Sequence, residues 1–400
     1  RPGRIVPRPS CWSTRSLEQI HHPMMSRTLR CCVLLLILVA TNASAGLFDK
    51  FIDPQTGDFD TSNWLLEHRG ILPVPIIISD PAVGYGLGVA GAYFHRRKDG
   101  DDLDEDGVPL NTPSVSALAA GYTENDSWFV GGGHLGIWKD DHVRYTGVLG
   151  YADLNLAFYA GNQSDGFNGF DFEIQGTFID QELIFRIGES NWFLGGSYRY
   201  LNSNVTFLTG IDFPGLDKLN TDATSSGVSL LAMFDNRNNL FSPTEGQFFE
   251  FEGLFNLQAL GSDNDFENYH AKALFWWPFG SFVGGLRLDG KTTSGDTPFY
   301  EVPFIEMRGI PSMRYQGETV GVVETELTWK VTPRWAVLGF VGAGWAADSA
   351  NDLGGESDTI ISKGVGFRYL IAKKLGLWSG IDVASGPEDT VFYIQAGSAW

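Results

Sequence analysis

Cysteine is almost missing from this chain. Its three copies, Cys11, Cys31 and Cys32, all fall before residue 33. Beyond them no disulfide and no thiolate metal site can form. Long apolar runs are missing too: past residue 45 no stretch approaches about 18 consecutive apolar residues, which excludes helical membrane spans. Positive charge is scarce, 28 Lys and Arg against 48 Asp and Glu, a net charge of −20. Phosphate attraction needs clustered Lys and Arg, so nucleic acid is excluded as a partner. There is no Gly-x-Ser-x-Gly elbow. The histidines after residue 45 (His68, His95, His134, His142, His270) show no metal-ligand spacing. An enzyme is therefore not expected, nor a cofactor. A lipid hydrolase would need a Ser-His constellation that the chain does not display.

What is present begins with a leader. Met24 or Met25 starts a sensible secretory signal, with Arg27 and Arg30 as its positive region. Cys31 to Ala40 is an apolar stretch of about ten residues, too short to span a bilayer. Ala43-Ser44-Ala45 fits a cleavage site, which puts the mature start at Gly46. Residues 1–45 read as removed and 46–69 as a periplasmic lead-in. The mature chain keeps 22 basic against 47 acidic residues, net −25.

From residue 70 to 400 the pattern alternates with period two. Phe170, Phe172, Ile174, Gly176 and Phe178 alternate with Asp171, Glu173, Gln175 and Thr177. Phe249, Phe251, Gly253, Phe255 and Leu257 alternate with Glu250, Glu252 and Asn256. Val323, Thr325, Leu327 and Trp329 alternate with Glu324, Glu326, Thr328 and Lys330. A membrane barrel turns such apolar faces to lipid and keeps the charges in a wet lumen, whereas a soluble sandwich would bury them. With aromatics at 14% and 49 glycines, the expectation is an all-β chain, a transmembrane antiparallel β-barrel of about 16 strands. If both termini are periplasmic, the short connections fall on that side. The long ones at 207–224, 295–318 and 349–358 then fall outside, and only the acidic 97–111 breaks the rule. The last strand, read as 390–400, carries Phe392, Ile394, Ala396, Ser398 and Trp400 on one face. Trp400 would rest at headgroup level.

Two segments carry more. Asp235-Asn236-Arg237-Asn238-Asn239-Leu240-Phe241-Ser242-Pro243-Thr244-Glu245-Gly246 leads into an aromatic-rich strand. Pro298-Phe299-Tyr300-Glu301 leads through Phe304 to Met307-Arg308-Gly309-Ile310-Pro311 and Arg314-Tyr315-Gln316-Gly317. Together they resemble the BamA/TamA-type surface-antigen barrel superfamily of the bacterial outer membrane. There a Pro-Thr-x-Gly turn enters the ninth strand, and an Arg-Gly-aromatic loop tip after the eleventh folds back into the lumen. The resemblance covers roughly residues 70 to 400 and implies that 295–318 is a plug. Three departures stand out. Ile310 replaces the family's aromatic. Gly342 stands where the thirteenth strand usually offers an Asp. Only about 25 residues precede the first strand, too few for a polypeptide-transport repeat.

An arginine drawn into the lumen needs a partner. Glu326 is the first candidate and Glu324 the second, with a solvent-facing loop arginine as the alternative. Pro73 and Pro75 remove N–H donors on one edge of the first strand. They and Trp400 would mark a weak lateral seam between first and last strands. Otherwise the prolines merely precede the barrel. Asp102, Asp104 and Asp106 match the front half of a calcium loop, though Pro113 stands where its last ligand should be. A solvated acidic turn is the alternative there. Gly86-Leu87-Gly88-Val89-Ala90-Gly91 matches a dinucleotide fingerprint by letter but continues as strand.

The resemblance implies insertion or translocation of proteins in the outer membrane. The partners would be outer-membrane lipid and client outer-membrane proteins or a periplasmic partner, with the barrel itself a monomer. The alternative is a passive outer-membrane channel whose acidic lumen favours cations.

Overall fold

The structure is a computed structural model, and it describes residues 51–53, 56–67, 71–80, 82–95, 113–158, 170–207, 221–355 and 358–400. Sixteen strands follow in chain order. They are β1 (Leu72–Ile78), β2 (Gly86–Phe94), β3 (Val115–Thr123), β4 (Trp128–Trp138), β5 (Val143–Phe158), β6 (Phe170–Arg186), β7 (Trp192–Phe207) and β8 (Thr221–Asp235). Then come β9 (Gly246–Asn256), β10 (Phe266–Phe279), β11 (Phe282–Gly295), β12 (Thr319–Lys330), β13 (Trp335–Ala347), β14 (Ile360–Ala372), β15 (Leu377–Ser385) and β16 (Thr390–Ala396). Each pairs antiparallel with the next, in one sheet ordered β1 to β16. The sheet curls into a nearly closed barrel. Closure is what removes the edges a flat sheet would leave exposed.

Facing follows from the alternation. Leu118, Leu230 and Leu87 stand outward and are 73%, 71% and 67% exposed, too much apolar surface for a face in water. Trp128, Trp138, Trp192, Trp277, Trp329 and Trp335 are also exposed, each near a strand end, as an interfacial belt requires. One rim carries short turns, including 139–142, 280–281 and 373–376. A single-turn helix, α1 (Ser62–Glu67), sits on that rim. Leu65 packs there on Ala372 and Leu375. Arg334 holds the segment before α1, donating to Asp60 at 2.7 Å and Asp53 at 3.1 Å.

Two sequence expectations are corrected. The apolar face of β6 was assigned to lipid, yet Phe172 is fully buried inward with Leu156, Val205 and Phe207. The reason is length. At 17 residues β6 exceeds the about 9–11 needed to cross, so its first half stands clear of the bilayer. Outward there means water, and inward means the loop side chains Phe299 and Phe304. Strand β16 also ends at Ala396 rather than Trp400. Gly397 takes φ +92°, a left-handed turn that sends the last residues inward. Trp400 lies beside Trp276, ring centroids 5.6 Å apart, and not at the lipid interface.

The inner wall is uneven. On β1 to β4 the inward positions are Val74, Ile76 and Ile78, then Gly86, Gly88, Ala90, Ala92 and Phe94, then residues such as Ala117, Ala119, Phe129 and Leu135. None is charged. On β9 to β15 they include Glu250, Glu252, His270, Lys272, Arg287, Asp289, Glu324, Glu326, Arg368 and Asp382. At the short-turn end of β6 to β11, Ile184, Phe193, Leu231, Met233, Phe248, Leu274, Trp276 and Val283 form an apolar core inside the barrel. The lumen is dry there, not wet as the alternation alone implied.

Candidate functional site

The loop between β11 and β12 folds inward as a short irregular hairpin. Phe304 bridges Gln316, and the Ile305 N–H donates to the Tyr315 carbonyl at 2.9 Å. This brings Arg308, only 8% exposed, into the barrel. Its Nε donates to Glu324 Oε1 at 2.9 Å, and its Nη2 donates to the same oxygen. Nη1 donates to Asp382 Oδ2 at 2.9 Å. Glu326 Oε2 also lies 2.9 Å from Nη1 but is not aligned for a hydrogen bond. The guanidinium carbon sits 3.5 Å from the Phe340 ring centroid. Breaking one member out of such a buried set costs about 3–5 kcal/mol, because the remaining charges stay uncompensated.

Sequence reasoning missed Asp382. It comes from β15, is fully buried, and also accepts a hydrogen bond from Arg368 Nη2 at 2.9 Å. It occupies the role that the thirteenth strand's Asp was expected to fill. Gly342 cannot carry that Asp without movement, since a Cβ there would lie 2.8 Å from Met307 Sδ and 3.3 Å from Glu324 Cγ. The available signal was parity: Asp382 is a lone acid at an inward position of a strand otherwise small or apolar. Ile310 is buried with Ile305, Met307, Val320, Val322 and Ile360. The aliphatic side chain thus fills the space where an aromatic was expected.

The loop tip touches both ends of the sheet. The Gly309 N–H donates to Tyr393 Oη of β16 at 2.8 Å. Gly309 has φ +84°, and a Cβ on it would meet Ala384 at 3.2 Å. Ser312 Oγ donates to Asp80 in the β1–β2 turn, and the Ser312 N–H donates to Asp80 Oδ1 at 3.3 Å. Next to it, Arg314 donates to Glu388 in the β15–β16 turn at 3.2 Å.

Between β1 and β16 there is no ladder. Among the described residues all fifteen pairings join consecutive strands. Across the gap the Ser79 hydroxyl donates to the Phe392 carbonyl. Pro73 and Pro75 lie within β1, facing outward and paired opposite Gly91 and Val89 of β2. Trp400 lies away from this edge, inside the barrel.

The second motif crosses the short-turn mouth. Asp235 is buried and accepts from Arg144 at 2.6 Å and from Arg237 at 2.8 Å. Asn239 Nδ2 reaches the Leu375 carbonyl at 2.9 Å, and the Phe241 carbonyl accepts the Ser398 N–H at 2.6 Å. Gly246 closes the turn at φ +111°, with Asn236 O only 2.6 Å from where a Cβ would stand. Asp102, Asp104 and Asp106 lie outside the described residues. Among the described residues no group of three or more His, Cys, Asp or Glu could hold a metal ion.

Residues 140–368 match the model of the Omp85 superfamily domain. No curated protein matches the chain in sequence. Among solved structures, BamA from Haemophilus ducreyi lacking POTRA domains 1–3 is similar, at 15% identity and TM-score 0.53 over 82% of this chain and 70% of that one. CdiB from Acinetobacter baumannii is similar at 11% identity and TM-score 0.54, covering 82% of this chain and 60% of that one. CdiB from Escherichia coli is similar at 13% identity and TM-score 0.54, covering 81% and 62%. At these identities the likeness is one of fold.

Proposed function

The chain belongs to the Omp85 superfamily, and from that premise we propose that it inserts or translocates proteins in the bacterial outer membrane through an opening between β1 and β16. The observation that carries this reading is the missing ladder. Unpaired backbone groups at membrane depth each cost several kcal/mol unless another strand or a partner satisfies them. An edge of this kind is a template on which a client strand can pair. No covalent chemistry is involved. The site consists of Pro73 and Pro75, which withhold donors along one side of β1, and the loop tip at Arg308, Gly309 and Ile310. Glu324, Glu326 and Asp382 hold that tip in place. By tying Tyr393 to Asp80 the tip latches the two edges from inside.

The mature region has no native cysteine, so a lock is simple to build. Ser79→Cys with Phe392→Cys, oxidised in proteoliposomes, is expected to stop insertion of a small urea-denatured outer-membrane barrel, and reductant restores it. Insertion by the oxidised form at the wild-type rate overturns the proposal. The passive cation channel is the weaker reading, since loop, mouth turn and C-terminal tail all occupy the lumen. Planar-bilayer recordings are expected to be silent, and steady open-channel current would favour the channel.

A further inference from the structure

A cavity of about 540 Å³ lies on the inner side of β3 to β7. Its inward side chains are Ala119, Phe129, Val148, Ile174, Phe178 and Leu201, with Gly131, Gly133, Gly150 and Gly176 smoothing the wall between them. No charged residue lines it. Such a surface inside a barrel is unusual, because inward residues of large barrels are ordinarily polar and wet. The volume falls within the roughly 300–1,000 Å³ of ligand pockets.

The apolar wall continues to the open edge. A Cβ on Gly121 would meet the Phe129 ring and, at 3.1 Å, Ile78 of β1. From Val74, Ile76 and Ile78 across β2 and β3 to the cavity, no inward side chain carries charge. The edge of β1 has no strand pairing toward β16, so this strip runs from the bilayer's hydrocarbon into the lumen. Water cannot satisfy such a surface, and the phase it adjoins supplies hydrocarbon.

We propose that the cavity binds the acyl chain of a phospholipid entering between β1 and β16. The route rests on the lateral opening proposed above, whereas the cavity itself does not. A lipid-binding lumen goes beyond a path for client strands. It provides a place where lipid displaced by opening, or carried through it, is held.

The test uses a phosphatidylethanolamine bearing a photoreactive diazirine at the end of one acyl chain, in nanodiscs with the full chain. Adducts are mapped by peptide mass spectrometry. Adducts at Phe129, Phe178 and Leu201 are expected beside those at the outward Leu118, Leu183 and Leu194. Gly150→Leu fills the cavity, and its Cβ meets nothing closer than 3.5 Å, so the fold is retained. Inner adducts should be lost in that variant and outer ones kept, with unchanged heat-modifiable migration on gels. Adducts on outward residues only, or inner adducts indifferent to Gly150→Leu, overturn the proposal. The Ser79–Phe392 lock separates the two readings. If inner adducts persist when the lock precedes lipid exchange, the cavity stands and the lateral route fails. If they are missing in both forms, the cavity fails whatever the seam does. Blocking of inner adducts by an added denatured barrel client, in excess over lipid, would assign the cavity to client strands instead and overturn the lipid.

Discussion

The two halves of the inner wall follow opposite chemistry. On β9 to β15, most of the charges come in sets with named partners. Arg308 meets Glu324 and Asp382, Arg287 meets Asp289, and His270 Nε2 donates to Asp289 Oδ1 at 2.9 Å. On β1 to β4 the same inward positions carry Val, Ile, Leu, Ala, Gly, Phe and one Thr, with no charge among them. The charged half holds the plug in one position, since a guanidinium can be satisfied in few geometries. The apolar half fixes no position, and anything greasy can slide along it. The barrel therefore combines a fixed wall and a permissive one; of the two unpaired edges, β1 belongs to the permissive wall and β16 adjoins the fixed one.

Breaking the fixed wall has the largest effect. Arg308→Ala strands Glu324 and Asp382 and should cost about 3–5 kcal/mol in urea unfolding. The same variant is expected to show steady current in planar bilayers, where the wild type is expected to be silent. Asp382→Asn comes next, at about 3 kcal/mol, because Arg308 and Arg368 lose a shared carboxylate. Gly342→Asp should destabilise the wild type yet recover part of the loss in the Asp382→Asn background. Failure to recover would show that β13 and β15 are not interchangeable donors to the plug. The permissive wall is tested by Ala119→Asp, expected to cost about 1–2 kcal/mol as an unpaired polar group on an apolar surface. Its counterpart, Lys272→Met on the charged wall, should move stability by less than about 0.5 kcal/mol, since Lys272 has no ion pair among the described residues. Equal costs would erase the distinction between the walls.

The smallest effect lies outside both. His142, in the β4–β5 turn, has its pKa raised chiefly by a hydrogen bond to the Lys139 carbonyl, against some desolvation, with Glu189 adding at 3.4 Å. A raised folded-state pKa means its contribution is present below the unfolded value and lost as pH rises through the folded one. An NMR titration midpoint above that of an ordinary histidine is expected, falling with Glu189→Gln, without a measurable change in unfolding.

Strand number and order were legible because period-two patterning survives in almost every segment. Arg308 was legible from a motif, and parity on β12 offered Glu326 first and Glu324 second, whereas Glu324 accepts the aligned hydrogen bonds. Periodicity gives the two faces of a strand but not which is inward. That is why β6 came out inverted where it leaves the bilayer. The turn at Gly397 was invisible, since a glycine among alternating residues reads equally as strand. Trp400 was thereby assigned to lipid when it packs on Trp276. Asp382 was missed because its partner arrives from 74 residues away in sequence. The uncharged inner face of β1 to β4 was in plain view, but small inward residues look unremarkable until the cavity they leave is seen.

Amide hydrogen exchange in nanodiscs tests the central claim most directly. The amides of Val74 and Ile76–Ile78 in β1 and of 391–396 in β16 are expected to exchange much faster than those of β11 and β12, whose ladder runs unbroken from Phe282↔Trp329 to Thr292↔Thr319. Faster exchange should also shrink on oxidising the Ser79–Phe392 lock. Protection of β1 and β16 equal to that of β11 and β12 in the unlocked protein would contradict it.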